Sequence, residues 1–128
     1  MPPIERPTKC TGSPSVSRWL TPAYAATYEG AAAAKALHDV LVATDAQGYI
    51  ESCNAVAAID FRDSNHRIAV PTLVIGGLQD EATPMAMSEA MAAAIPGARL
   101  ATIDAAHLSA VERPIEFEQL LIDYWRSL

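Results

Sequence analysis

Thr72-Leu73-Val74-Ile75-Gly76-Gly77-Leu78-Gln79-Asp80-Glu81-Ala82-Thr83-Pro84 is the stretch that decides the fold of this chain. Ile68-Ala69-Val70-Pro71 leads into Thr72 to Gly76, a β-branched run closed by glycines. The run does not alternate polar with apolar, which predicts a strand covered on both faces, as in a parallel sheet. Asp80 stands just beyond its tip, and Thr83-Pro84 opens a helix through about Ile95. Met85, Met87 and Met91 are its expected packing residues, and Pro96-Gly97 stops it. Arg99 to Ile103 predicts a second strand, followed by Asp104-Ala105-Ala106-His107-Leu108-Ser109. Pro114 then opens a last helix, Ile115 to about Trp125. The order strand, helix, strand, helix describes an α/β unit with parallel strands joined by a crossover.

Upstream the character changes. Residues 16–66 are alanine-rich and read as a helical segment. Thr21-Pro22 is a start signal, with Thr as N-cap and Pro at the first helical position. Glu29-Gly30 reads as a break before a helix from Ala31 to Val42, with Leu37, Val40 and Leu41 on one face. Asp45 can cap a third helix, whose Ile50, Cys53, Val56 and Ala57 form one stripe. Phe61 to Arg67 is polar and connects to the unit at 67–128. Residues 1–15 hold four of the nine prolines and show no apolar period, so they read as an arm or linker.

Composition bounds the function classes. A chain of 128 residues, 51% hydrophobic and 19% charged, is long enough for one domain with a core and too apolar for disorder throughout. Its net charge of −6, with no Lys/Arg run, argues against a nucleic-acid partner. No apolar stretch approaches a bilayer-spanning length, so no membrane association is expected. Met1-Pro2-Pro3-Ile4-Glu5-Arg6 lacks the basic lead and apolar run of a secretory leader. Cys10 and Cys53 are then expected to be free thiols in a reducing, cytoplasmic setting.

The chemistry lies at the two strand ends. An acid, Asp80, and an imidazole, His107, each follow a strand, where α/β enzymes display functional side chains at the carboxyl edge of the sheet. Parallel neighbours lie about 4.8 Å apart, so short loops can bring the two together. Acid and histidine in that order are two members of a Ser, acid, His triad. Each has a plainer reading: Asp80 as a turn residue, His107 as a loop histidine. Asp104 is the alternative acid, being near His107 in sequence. His38 and His66 lack partners at metal-ligand spacing and read as surface residues, so no metal site is expected. Glu112, just before the last helix, is expected to answer that helix's positive end.

The nucleophile is the missing member. Ser13, Ser15, Ser17, Ser52, Ser64, Ser88, Ser109 and Ser127 all lack the Gly-x-Ser-x-Gly elbow between strand and helix, and Cys53 falls within a helix. A glycine-rich oxyanion loop is absent as well. Two parallel strands also leave unpaired edges, and natural parallel sheets are larger. Both observations predict that part of the fold is supplied elsewhere, by a separate N-terminal half or by a second copy of the chain.

From Ser17 onward the sequence resembles the cap and C-terminal region of 3-oxoadipate enol-lactonases, a branch of the α/β-hydrolase fold. The resemblance is carried by Arg18-Trp19-Leu20-Thr21-Pro22, Gly48-Tyr49-Ile50 with Cys53, Val70-Pro71-Thr72-Leu73-Val74-Ile75 and Asp80-Glu81-Ala82-Thr83-Pro84. It continues through Ala93-Ala94-Ile95-Pro96-Gly97-Ala98-Arg99 and Ala105-Ala106-His107-Leu108-Ser109-Ala110-Val111-Glu112. The strand-to-acid piece is common to many α/β-hydrolases, whereas the Arg-Trp start of the cap together with Ala-Ala-His-Leu-Ser-x-Val-Glu is more selective. The resemblance implies a partial α/β-hydrolase fold, with residues 16–66 as a helical cap. It implies Asp80 and His107 as triad acid and base, Trp19 as a roof over the substrate, and a small ester or lactone as substrate. It implies no metal or organic cofactor. Arg18 could clamp a substrate carboxylate or simply be solvated. The family's elbow, oxyanion loop and first strands have no counterpart here. The alternatives are a non-catalytic, self-associating module and an esterase for another small substrate.

Overall fold

A computed structural model describes residues 16–128; the predicted arm at 1–15 and Cys10 lie outside the described residues. The helical part opens with two single turns, α1 (Val16–Trp19) and α2 (Pro22–Ala25). Thr21 caps α2 by accepting the Tyr24 N–H, with Pro22 at the first helical position as expected. α3 then runs from Tyr28 to Ala43 without interruption. The expected break at Glu29-Gly30 is therefore wrong. Thr27 caps this helix through the Gly30 N–H, and a Cβ on Gly30 would fall 1.8 Å from the Tyr24 carbonyl oxygen. The glycine is a close crossing of α2 over the first turn of α3, not a helix stop.

Asp45 caps α4 (Ala46–Ala58) through the Gly48 N–H at 2.7 Å. The stripe of Ile50, Cys53, Val56 and Ala57 is exposed throughout, and Val40 on α3 is 68% exposed. Helical period tells which side chains share a face. It does not tell whether a neighbour is there to cover them. A single 3₁₀ turn at Asn65–Arg67 carries an exposed His66. His38 is only half exposed, and its Nε2 is buried without a hydrogen-bond partner among the described residues, contrary to a plain surface reading.

The α/β part contains β1 (Leu73–Gly77), α5 (Met85–Ala94), β2 (Arg99–Ile103), a one-turn α6 (Ser109–Glu112) and α7 (Pro114–Arg126). Among the described residues the sheet is two-stranded and parallel, with Leu73 opposite Arg99 and Gly77 opposite Ile103. This is an α/β fold, a partial one. Val74 and Gly76 face α5, where Met85 Sδ occupies the space a side chain on Gly76 would need. On the other face Arg99 stacks over Tyr124 of α7, 5.4 Å from the ring centre.

The core is thin: Val16, Leu20, Val74, Ile95, Ile103, Ala105 and Ala106 are its buried apolar residues. β1 is covered on both faces, as its sequence predicts, but β2 leaves Leu100 42% exposed. Met87 and Met91, expected to pack, are exposed; only Met85 is drawn in. One strand pair presents too little surface to cover every helix that flanks it.

Candidate active site

β1 and β2 deliver their tips side by side. The ladder continues past the strands, with Leu78 N–H on the Ile103 carbonyl and Gln79 N–H on the Ala105 carbonyl. A Cβ on Gly77 would lie 2.7 Å from the Ala105 oxygen and 2.8 Å from the Ala106 oxygen, so only glycine lets the histidine loop pass this close. Asp80 N–H turns back onto the Gly77 carbonyl at 3.2 Å. These bonds hold Asp80 and His107, 27 residues apart in sequence, at one rim: His107 Nδ1 is 2.9 Å from Asp80 Oδ2.

Asp80 is enclosed, with a side chain 7% exposed, while that of His107 is 36% exposed. Asp80 Oδ1 accepts the N–H groups of Ala82 (2.8 Å) and Thr83 (2.9 Å), and Oδ2 accepts the Thr83 hydroxyl at 2.6 Å. Burial is the strongest single influence on this carboxyl and pushes its pKa up. The bonds from the Thr83 hydroxyl and N–H, from His107 and from the Ala82 N–H together outweigh it. The group is held below its ordinary value of 3.8.

The same contacts set the imidazole tautomer. Nδ1 faces Asp80 Oδ2 and, at 3.2 Å, Thr83 Oγ1. The one proton of the Thr83 hydroxyl goes to Asp80, so toward His107 that oxygen can only accept. With two acceptors before it, Nδ1 must carry the proton, and Nε2 is left with the lone pair. Among the described residues Nε2 has no hydrogen-bond partner. The arrangement can accept a proton at Nε2 and stabilise the resulting cation through Asp80.

The other candidates fall differently. Asp104 does not reach the imidazole; its carboxylate accepts the Gln79 amide at 2.7 Å. Trp19 is half-buried, and its backbone carbonyl accepts the Leu108 N–H at 2.9 Å. A cleft of about 420 Å³ beside Asp80 is lined by Arg18, Leu20, Thr21 and Pro22 on one side and by Leu78 to Glu81 on the other. Arg18 borders this cleft; the Trp19 side chain does not line it. A larger cavity, about 720 Å³, lies between α4 and α5 and touches neither Asp80 nor His107. The smaller cleft is the relevant one, because the chemistry lies at its edge.

Two features escaped the sequence reading. The sequence reads Thr83 as a helix opener, yet α5 starts at Met85 and the Thr83 hydroxyl serves Asp80. The Asp-x-x-Thr spacing is a turn signal that could have shown this. Glu112 does not answer the start of α7. It is 4% exposed and binds Thr21 and Ala106, a pairing across 91 residues that no local pattern announces.

No group of three or more His, Cys, Asp or Glu among the described residues is placed to hold a metal ion. No helix among them is long and apolar enough to cross a membrane. Cys53 carries a free, exposed thiol. A family profile for the alpha/beta hydrolase fold matches residues 6–114.

The chain belongs to the α/β-hydrolase fold family. Within that family the resemblance to 3-oxoadipate enol-lactonases holds. The chain is 38% identical over 88 residues to 3-oxoadipate enol-lactonase 1 of Acinetobacter baylyi, covering 69% of this chain and 33% of that one. It is 35% identical over 103 residues to enol-lactonase 2 of the same organism, covering 80% and 38%. The enol-lactonase structure from Burkholderia xenovorans LB400 superposes with a TM-score of 0.82 at 36% identity, covering 88% of this chain and 42% of that one. This α/β-hydrolase chain thus spans between a third and two fifths of the length of these two enol-lactonases.

Proposed function

We propose that this chain is the acid-and-base portion of a serine-type carboxylic-ester hydrolase acting on a small lactone of the 3-oxoadipate enol-lactone class. The observation that carries the reading is the Asp80–His107 contact at 2.9 Å, with the tautomer that leaves Nε2 as the base. The serine and the oxyanion donors come from the N-terminal part of the fold. In the proposed reaction His107 Nε2 takes the serine proton as the serine oxygen bonds to the carbonyl carbon. The ester C–O bond breaks, and His107 returns the proton to the leaving ring oxygen. Water then attacks the acyl-serine with His107 again as base, freeing the carboxylic acid and the serine. Asp80 stays ionised throughout and stabilises the imidazolium. Trp19, which does not line the cleft beside Asp80, is proposed to roof the substrate on the His107 side, in support of which its backbone is fastened next to His107. Placement of the reaction in the cytoplasm is part of the same proposal.

The test is complementation. The chain is co-expressed with the N-terminal portion of the Burkholderia xenovorans enol-lactonase that it does not cover, and cleavage of an enol-lactone and of p-nitrophenyl acetate is followed. Turnover that disappears in His107→Ala supports the reading. A stable complex with no turnover on either compound would reject it.

A second reading is favoured by a specific observation. Ile59, Phe61, Met87 and Met91 are 53%, 62%, 57% and 46% exposed around the larger cavity. Such a surface suits association with a second copy in a non-catalytic module. Sedimentation separates the two readings: concentration-dependent dimers that persist in the presence of the N-terminal portion would favour it.

A further inference from the structure

The buried carboxylate of Glu112 belongs to no step above, and its partners are informative. Oε2 accepts the N–H of Thr21 at 3.1 Å and the N–H of Ala106 at 3.2 Å. Oε1 accepts the Thr21 hydroxyl in a very short bond. Thr21 and Glu112 are each 4% exposed, and Ala106 is 3% exposed. The Thr21 hydroxyl oxygen also accepts the Tyr24 N–H that starts α2, so each of its hydrogen-bonding roles is used. On the far side of His107, the Leu108 N–H donates to the Trp19 carbonyl at 2.9 Å. The residue before His107 and the residue after it are therefore both tied to the turn Trp19–Thr21, where the helical segment begins. Through its side chain His107 is tied to Asp80.

We infer that Glu112 and Thr21 are positioning residues, a buried clasp that holds the His107 loop to the start of the helical cap and so sets the imidazole against Asp80. The inference rests on the reading of His107 as the base. A charged, buried acceptor is suited to the task. Hydrogen bonds to a carboxylate are about twice as strong as neutral ones, and a buried N–H left without its acceptor is costly. Two N–H groups from segments 85 positions apart (Thr21 and Ala106) meeting on one oxygen leave little freedom for either segment to shift alone. The cap is then the reference to which the base is aligned, and displacement of the cap displaces the base.

The clasp is testable on the chain alone, by NMR of the His107 imidazole. The readouts are the tautomer, from the ring ¹⁵N shifts, and the solvent exchange rate of the Nδ1 proton. Thr21→Val should speed exchange about tenfold, the order expected for one lost bond to a charged group. Glu112→Leu, which removes the acceptor of three bonds, should speed it further, and both should mix the tautomers. Thr21→Ser should keep wild-type values. Glu112→Gln keeps an oxygen for both N–H bonds but gives up the charge and the acceptor of the Thr21 hydroxyl proton, so it should fall between wild type and Glu112→Leu. The His66 lines and the amide pattern of β1 and β2 should stay in place, which separates positioning from general loosening. If Glu112→Leu does not fold, Thr21→Val decides alone. Unchanged exchange and tautomer in a folded Thr21→Val would overturn the inference. So would a loss as large in Thr21→Ser as in Thr21→Val. Failed complementation with an intact clasp effect rejects the hydrolase reading and leaves the clasp; the reverse pattern rejects the clasp alone.

Discussion

Thr83 gives its hydroxyl proton to Asp80 Oδ2 at 2.6 Å, on the same oxygen that His107 Nδ1 approaches at 2.9 Å. This shared oxygen makes Thr83 part of the device that orients the imidazole. Thr83→Val keeps the side-chain shape and removes the bond. Stability should fall by about 1.5–3 kcal/mol, the range for a hydrogen bond to a charged group. The Asp80 carboxyl should titrate at a higher pH, since an opposing influence to burial is gone. Carboxyl ¹³C titration and urea denaturation check both, and Thr83→Ser should restore both.

Acid should remove what Asp80 contributes. Its pKa is lower in the folded chain than its ordinary value of 3.8. The folded state therefore binds fewer protons than the unfolded state in that range, and stability falls as pH falls. The contribution is complete above the unfolded value and is lost as pH drops through the folded one. The difference in melting temperature between wild type and Asp80→Asn should be full at neutral pH and should shrink steadily below about pH 4. Asp60 is held at about 2 by its bonds to Arg62, but that pair is exposed and should leave the melting curve almost unmoved.

Of the two acids near His107, only Asp80 touches the ring. In the complemented enzyme Asp80→Asn should lower kcat by about 10⁴, the loss that follows when a triad carboxylate no longer holds the imidazole tautomer. Asp104→Asn keeps an oxygen that can accept the Gln79 amide and should leave kcat within about twofold. Steady-state kinetics of the two variants, measured side by side, decide between them; equal losses would contradict the geometry described above.

One chemical change should have opposite signs at different glycines. Gly77→Ala drives a Cβ to 2.7 Å from the Ala105 oxygen, against backbone that cannot turn aside. It should cost about 1–3 kcal/mol and disturb the His107 ring signals. Gly30→Ala meets the Tyr24 oxygen at 1.8 Å and should cost at least as much. Gly48 sits in the first turn of α4, where a Cβ would meet Asp45 Oδ2 at 3.4 Å, an ordinary contact. Gly48→Ala should stabilise by about 0.5–1 kcal/mol, because the unfolded chain loses freedom. Urea midpoints of the three variants test the order.

Much of the frame was legible along the chain because its causes are local. Thr21, Asp45 and Pro114 mark helix starts through caps and a preset φ, and the structure begins its helices there. Arg99 to Ile103 is a strand as read, and β1 differs from its reading by one residue at each end. The meeting of Asp80 with His107 was also legible, because two parallel strand tips can end at only one rim.

What was not legible depends on partners distant in sequence. Gly30 looks like a helix breaker until α2 is seen crossing it. Thr83 looks like a cap until its hydroxyl is traced to Asp80. The stripes on α4 and α5 look like core until their exposure is known. The chain by itself determined the kinds of elements, their order and the pairing of an acid with an imidazole. These follow from backbone preference, side-chain period and the geometry of neighbouring strands. Only tertiary structure decided which face is covered, which tautomer the imidazole takes, and that Glu112 joins Thr21 to Ala106. The first depends on which elements pack against one another, and the other two on hydrogen-bonding groups that come within 3.5 Å only after the chain has closed on itself.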